Sequence, residues 1–87
     1  FDGVDDAVAQ ANDSFYGLAS GVWTRDVKKA HTVSRALRAG TVWINMYNHF
    51  DPGMPFGGYK GSGFGRDLGA ASLQEYTQVK SVWLNLE

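Results

Sequence analysis

The chain has 87 residues, of which 44% are hydrophobic and 20% are charged, and this composition is typical of a folded protein rather than of a disordered tail or a fibre. The net charge of -1 leaves no basic patch for a nucleic acid backbone, and no apolar run approaches the ~18 residues of a membrane span. Because cysteine is absent, these residues contain no disulfide, thiolate metal site or cysteine nucleophile. We therefore expect neither nucleic acid nor a membrane as a partner.

The small size of the chain limits its core. A chain of this length buries only about 60–65% of its unfolded surface, so it forms one thin core at most. Three tryptophans and five phenylalanines are a heavy aromatic load for such a core, and the chain begins with Phe1 instead of methionine. We therefore expect a segment of a longer protein, in which other residues cover some of these aromatic side chains.

Two segments have the apolar spacing of amphipathic helices. From Asp2 to Asn12, small apolar residues recur at i, i+3, i+4 and i+7, and Asp2 and Asp5 are placed to cap the start of the helix. The segment from Asp26 to Leu37 has the same periodicity, and we expect Gly40 to end that helix.

Two short runs rich in β-branched and aromatic residues predict strands buried on both faces. They extend from Leu18 to Thr24 and from Thr41 to Asn45, on either side of the second helix. Strand, helix and strand at this spacing predict a right-handed parallel βαβ unit. The long loop 46–69 leaves the carboxyl end of the second strand, which is where open parallel sheets bind ligands.

The segment from Pro55 to Gly69 contains six of the 11 glycines in the chain. Glycine costs roughly 0.5–1 kcal/mol relative to alanine inside a regular element, so this segment is not expected to be helix or strand. Its GSGFG portion lacks the third glycine of the dinucleotide fingerprint, and Gly61 follows Lys60 where a P-loop needs serine or threonine. Close backbone packing is therefore favoured over a phosphate cradle, with an aromatic ligand wall as a third interpretation.

Apolar residues at the exit of the second strand are candidates for a ligand wall. They are Met46, Tyr47, Phe50 and Phe56, although ordinary core packing accounts for each of them nearly as well. The histidines and serines lack the partners that a metal site or a nucleophile needs, so no catalytic, cofactor-binding or metal-ligating residue is predicted. Arg66 is interpreted as a tether that orders the glycine-rich loop.

The end of the chain alternates apolar and polar residues. One or two helical turns are expected from Ala70 to Tyr76, and a strand from Lys80 to Leu86. Val82, Leu84 and Leu86 would lie on one face of this strand, opposite Trp83. A terminal strand in a chain too small to cover it is a candidate for pairing with another chain.

Four motifs in order closely resemble the carboxyl-terminal segment of the NAD(P)-dependent aldehyde dehydrogenase superfamily. They are ANDSFYGLASGVWTRD, LRAGTVWIN, PFGGYKGSGFGRDLG and EYTQVKSVWLNL, which together extend over most of the 87 residues. The resemblance implies an α/β fold in which residues 1–78 form part of a parallel open-sheet catalytic domain that includes the βαβ unit. Residues 79–87 would then form an oligomerisation strand that links a homodimer or homotetramer.

The resemblance also implies that the chemistry lies elsewhere in a longer, cytoplasmic enzyme. Members of this family attack the aldehyde with a cysteine thiolate, transfer hydride to NAD or NADP, and hydrolyse the thioester with a glutamate base. None of these groups matches a position in this chain. The 87 residues alone are therefore expected to be inactive and to bind no cofactor.

Site residues follow from the resemblance position by position. Phe56 resembles the aromatic residue that lines the inner aldehyde channel, and Phe50 resembles a residue at the channel mouth, with Tyr47 and Met46 near the strand exit. Many relatives have glutamate at the position of Gln78, so a contact with Arg66 is expected there without an ion pair. In the last strand, the interface residues would be Val82, Trp83 and Leu84.

Two other functions remain open at the level of the sequence. The first is a freestanding, non-catalytic module that binds a partner protein through the glycine-rich loop and the last strand. The second is a small nucleotide-binding domain, which the incomplete phosphate motifs disfavour.

Overall fold

Short helices alternate with two-stranded sheets in the computed structural model, which describes residues 1–86. The fold is a mixed α/β arrangement, as the sequence predicts. The elements in chain order are α1 (Gly3–Asn12), β1 (Tyr16–Gly17), β2 (Ala19–Val22), α2 (Val27–Ala36), β3 (Thr41–Ile44), β4 (Tyr59–Lys60) and a 3-10 helix (Ala70–Tyr76). No helix within the described residues is long and apolar enough to cross a membrane.

The strands β2 and β3 pair in parallel on either side of α2. Their register runs from Ala19 opposite Thr41 to Val22 opposite Ile44, so both strands end at the same edge. The βαβ unit is present as a two-stranded sheet, and no further strand joins it within residues 1–86. Both strands were expected to be buried on both faces, but most of their residues are half-buried because the described residues do not cover the second face.

The helix ends differ in part from the predicted caps. Asp26 caps α2 as expected, with its carboxylate accepting a hydrogen bond from the Lys29 N–H at 3.1 Å. The Asp2 side chain makes no cap bond; instead the Asp2 N–H donates to the Asp6 carboxylate at 2.7 Å. The prediction for Asp2 was wrong because the bond runs in the opposite direction, from backbone to the later side chain.

Gly40 does not end α2, contrary to the sequence prediction. The helix stops at Ala36 because Leu37 is already extended, with a ψ of 130°. Gly40 instead lies where a Cβ would overlap the carbonyl oxygen of Gly57, and its N–H donates to the Gly17 carbonyl at 3.1 Å. The missing side chain therefore allows the glycine-rich loop to pack directly on the backbone that leads into β3.

A two-residue strand lies inside the glycine-rich segment, where no strand was predicted. Tyr59 and Lys60 pair antiparallel with Gly17 and Tyr16, respectively. Lys60 adds a tether, because its ammonium group donates to the carbonyls of Asn12 and Ser14 at 3.0 Å each. The low strand propensity of this glycine-rich segment did not prevent the strand, because it pairs with a segment more than 40 positions away in the chain.

The chain leaves far more surface exposed than a compact protein of its mass. Its accessible surface is 7323 Å² for 9.5 kDa, against about 5,000 Å² expected from mass scaling. The radius of gyration is 18.2 Å, against about 12 Å for a compact chain of this length. Among the described residues, only Ala30, Leu37 and Trp43 are buried apolar side chains. The thin core predicted from length and aromatic content is what the structure shows.

The last described residues are mostly exposed and are not assigned to a strand. The expected helical turns form the 3-10 helix, after which residues 77–86 make no strand pairing within the described part of the chain. Val82, Trp83 and Leu84 are 80%, 94% and 79% exposed. Glu87, the last residue of the predicted oligomerisation strand, lies outside the described residues. A strand needs a partner for its backbone groups, so the predicted strand stays a prediction about the assembled protein.

Candidate functional site

Five aromatic side chains form a continuous row at the carboxyl edge of the β2 and β3 pair. Trp23 stacks on Tyr47 with ring centroids 6.4 Å apart, and Tyr47 lies 4.9 Å from Trp43. Phe50 meets Trp43 edge to face at 5.6 Å and meets Phe56 in the same way at 5.0 Å. Such contacts stabilise ring orientation by about 0.5–1.5 kcal/mol per pair beyond area burial, so the row is a defined surface rather than a loose cluster.

A cleft of about 320 Å³ opens beside the end of this row. Its walls include Trp43, Phe50, Phe56 and Leu68, and His49 also lines it. This volume is at the lower end of the range for small-molecule sites, and the lining is mostly apolar. The cleft therefore suits a small molecule with a flat or branched apolar part.

The cleft contains two of the four predicted wall residues. Phe50 and Phe56 line it, whereas Tyr47 reaches it only through the Trp43 ring. Met46 does not line the cleft and is 47% exposed. Met46 is therefore not part of the surface that Phe50 and Phe56 share.

Trp43 supports the cleft and was not among the predicted site residues. Its side chain is only 7% exposed, and its indole N–H donates to the His49 carbonyl at 2.8 Å. A buried tryptophan needs an acceptor for this group, and here the acceptor belongs to the loop that carries Phe50. The signal in the sequence was a tryptophan in a short strand immediately before a long loop.

Asn45 joins the carboxyl ends of the two parallel strands. Its φ of 56° is in the left-handed region that asparagine tolerates, and its side-chain oxygen accepts a hydrogen bond from the Thr24 N–H at 2.9 Å. The left-handed turn directs the chain out of β3 and into the loop. Sequence reasoning treated Asn45 only as the end of a strand.

Several backbone N–H groups of the glycine-rich segment donate hydrogen bonds within the chain. Gly61 donates to the Phe15 carbonyl at 2.8 Å, Ser62 donates to the Tyr59 carbonyl at 3.1 Å, and the Gly63 N–H also donates to a carbonyl. A phosphate cradle needs successive N–H groups that converge on a shared anion. These residues therefore do not fit the diphosphate of a dinucleotide, and their geometry fits the packing role.

Arg66 holds the glycine-rich segment through backbone contacts. Its guanidinium donates to the carbonyls of Gly58 and Gly65 at 3.1 and 2.6 Å, and it lies 5.5 Å above the Tyr59 ring. These contacts join two parts of the loop, and the role of Arg66 as a tether stays a prediction. Within residues 1–86 no hydrogen bond joins Arg66 to Gln78, so that contact stays a prediction for the intact enzyme.

A larger groove of about 800 Å³ lies between the two helices and β2. Apolar side chains of both helices face it, including Val4, Val8, Val33 and Leu37. The helical spacing of these residues predicted that they would be buried. The groove is therefore an apolar surface that other residues of the longer protein are expected to cover. The aromatic cleft is the better candidate for a ligand site because it lies where the parallel strands end.

The described residues supply a wall and no reactive group. Among them, no three histidine, aspartate or glutamate side chains converge as a metal ion would require. Thr41, His49 and Asp51 also line the cleft, but no hydrogen bond joins their side chains to one another within the described residues. The arrangement can bind and orient an apolar group.

Comparison with known proteins identifies the family to which the chain is similar. The profile of the aldehyde dehydrogenase family matches residues 1–82. A putative aldehyde dehydrogenase, DhaS, of Bacillus subtilis is 56% identical over all 87 residues, which cover 18% of that protein. Human aldehyde dehydrogenase 1A1 is 50% identical over 86 residues, covering 99% of this chain and 17% of that protein.

Solved structures are similar over the same length. An aldehyde dehydrogenase from Bacillus cereus in complex with NAD+ superimposes with a TM-score of 0.92 at 54% identity, covering all of this chain and 18% of that one. An indole-3-acetaldehyde dehydrogenase without ligand gives a TM-score of 0.90 at 50% identity, covering 99% of this chain and 20% of that one. The chain spans about a fifth of the length of these relatives, and it belongs to the aldehyde dehydrogenase family.

Proposed function

We propose that this chain is the carboxyl-terminal part of an NAD(P)-dependent aldehyde dehydrogenase and forms part of the wall of its aldehyde channel. The enzyme, an oxidoreductase, would convert an aldehyde, water and NAD+ or NADP+ into a carboxylic acid and the reduced cofactor, with release of a proton. The observation that supports this most directly is the 56% identity to a putative aldehyde dehydrogenase over the entire chain.

The aromatic cleft supports the assignment of the wall. Phe50 and Phe56 meet edge to face at 5.0 Å beside the carboxyl end of β3, where the resemblance places an aldehyde channel. Phe56 is the more sheltered of the two, since it is half-buried whereas Phe50 is 48% exposed. This order agrees with an inner position for Phe56 and a position at the mouth for Phe50, followed by Tyr47 and Met46 further out.

Residues outside this chain would supply the nucleophilic cysteine, the glutamate base and the cofactor site. The relatives include a "NADP/NAD-dependent" enzyme from Escherichia coli and two "NAD(P)+" enzymes from Saccharomyces cerevisiae, so either cofactor fits the proposal. The role of this chain is to orient the apolar part of the aldehyde and to exclude water from around it.

The remaining proposals concern assembly and location. Residues 1–78 would complete a larger parallel open sheet in the catalytic domain, and residues 79–87 would pair with another subunit in a homodimer or homotetramer. The excess exposed surface, roughly 2,300 Å² beyond that of a compact chain, would be shared between contacts with the rest of the enzyme and contacts with a second subunit. We also propose that the enzyme is cytoplasmic.

Steady-state kinetics tests the proposed function. The long protein that contains this chain is expected to reduce NAD+ or NADP+ with aliphatic and aromatic aldehydes, whereas the 87 residues alone are expected to give no turnover. Absence of turnover by the long protein with both cofactors would contradict the proposal and favour a non-catalytic binding module. Turnover by the 87 residues alone would contradict the assignment of the chemistry to other parts of the enzyme.

Replacing Phe56 with alanine should change the aldehyde preference of the long enzyme. The edge-to-face contact with Phe50 is lost and the inner wall opens, so kcat/KM for benzaldehyde should fall by roughly tenfold or more relative to acetaldehyde. The matched control is Phe64→Ala, because Phe64 is in the same segment but is 99% exposed and does not line the cleft. An unchanged ratio of the two aldehydes in Phe56→Ala would remove Phe56 from the wall.

A further inference from the structure

Leu68 has a backbone conformation that leucine rarely adopts. Its φ is 62°, in the left-handed region where the Cβ of an L-residue is strained and glycine is not. Positive φ also occurs in the glycine-rich segment at Gly63, Gly65 and Gly69 and at Lys60, whose φ is 52°. The Lys60 side chain has a use, because its ammonium group binds two backbone carbonyls. Leu68 is the other large side chain at such a position in this segment, which indicates that it also has a use.

Backbone contacts on both sides impose this conformation. Phe56 and Asp67 exchange two hydrogen bonds, at 2.6 and 2.7 Å, immediately before Leu68. The Gly69 N–H donates to the Pro52 carbonyl at 2.7 Å immediately after it. A Cβ at Gly69 would lie 2.9 Å from the ring of Pro55, so the chain has no room to relax there. The strain at Leu68 thus persists because neighbouring contacts determine its geometry.

The imposed turn places Leu68 among the residues that line the aromatic cleft. Leu68 lines the cleft with Phe50 and Phe56, and 37% of its surface remains exposed. The backbone bridge places Leu68 close to Phe56, because Asp67 is paired with Phe56 and adjoins Leu68 in the chain. A partly exposed leucine that faces aromatic rings across a small cleft forms a third, aliphatic wall.

We propose that Leu68 is a specificity-determining residue that packs against the apolar part of the aldehyde. This inference rests on the proposed function, because it assigns an aldehyde to the cleft. The substrate class that fits two phenylalanine edges and one leucine is an aldehyde with a flat or branched apolar group, and small aliphatic aldehydes would not reach all three walls.

Three variants of the long enzyme test the proposal: Leu68→Ala, Leu68→Gly and the control Asn48→Gly. Both Leu68 variants remove the wall, so kcat/KM for benzaldehyde relative to acetaldehyde should fall by roughly tenfold in each. Only glycine relieves the left-handed strain, so Leu68→Gly should melt at a temperature at least about 1 °C higher than Leu68→Ala. Asn48 has a φ of 59° and does not line the cleft, so its change to glycine should leave the aldehyde ratio within about twofold.

Binding of benzyl alcohol, a ligand that the proposed oxidation does not consume, separates this inference from the proposed function. Its Kd, measured by NMR titration, should rise by roughly fivefold or more in both Leu68 variants and stay unchanged in Asn48→Gly. If the parent enzyme turns over no aldehyde, the proposed function fails, while the Kd values still decide the role of Leu68. An unchanged Kd and an unchanged aldehyde ratio in Leu68→Gly would overturn the inference.

Discussion

Replacing Gly40 with alanine in the long enzyme should lower both stability and aldehyde turnover. The new methyl group would overlap the Gly57 carbonyl oxygen, so the glycine-rich segment would have to move away from β3. Overpacking against backbone costs about 3 kcal/mol, because a peptide carbonyl cannot rotate aside as a side chain does. Phe56 immediately precedes Gly57, and a displacement of about 1 Å at a reacting site can lower kcat/KM about 100-fold.

The matched control for this substitution is Gly53→Ala, in the same long loop. A Cβ at Gly53 would meet only the end of the Asp51 side chain at 3.1 Å, and that carboxylate can move. We expect thermal unfolding of Gly53→Ala to match that of the parent, while Gly40→Ala unfolds several degrees lower and loses activity. Equal melting temperatures for the two variants would show that Gly40 does not set the position of the glycine-rich segment.

Removing the residues after Gln78 should abolish the oligomer of the long enzyme. Val82, Trp83 and Leu84 are 80%, 94% and 79% exposed in the isolated chain, so these apolar side chains are available to a second subunit. Loss of a central strand and its apolar side chains would raise the dimer dissociation constant by on the order of 30-fold or more. Sedimentation velocity would then report monomer or aggregate, whereas a stable dimer of the truncated enzyme would contradict the interface assignment.

A pair of single substitutions distinguishes side-chain packing from loss of the strand itself. The alternating pattern puts Leu84 and Ser81 on opposite faces, so Leu84→Asp and Ser81→Asp introduce the same charge into the two surfaces. We expect Leu84→Asp to dissociate the oligomer, because a buried carboxylate without a partner is costly. Ser81→Asp should weaken the oligomer less, because Ser81 adds no apolar side chain to the face that it shares with Trp83. The same sedimentation profile for both variants would argue against Leu84 as the main apolar contact.

Local patterns in the sequence predicted the regular elements well. The apolar spacing of the segment from Asp26 to Leu37 and the Asp26 cap correspond to α2, and the β-branched runs on either side correspond to β2 and β3. Parallel pairing followed, because one intervening helix allows only a crossover connection. These features depend on residues within a few positions of one another, which is why periodicity and capping residues are sufficient to predict them.

The candidate site was predicted only in part. Phe50 and Phe56 do share a cleft, but Met46 lies off it, and both Trp43 and Leu68 were missed as lining residues. Trp43 was not predicted to line the cleft because a tryptophan in a strand is ordinarily part of the core. Leu68 was not predicted to line the cleft because the residues next to it in sequence do not indicate a left-handed backbone. That conformation arises from the bridge between Phe56 and Asp67, which are eleven positions apart.

The sequence by itself determined the family, the order of helices and strands, and the absence of a cysteine nucleophile from these residues. The tertiary structure alone decided which carbonyls Arg66 binds, why Gly40 must lack a side chain, and which side chains face the aromatic cleft. The physical reason is the range of the interactions. Helix and strand signals are local, whereas the path of a glycine-rich loop depends on distant backbone contacts that propensity and periodicity do not encode.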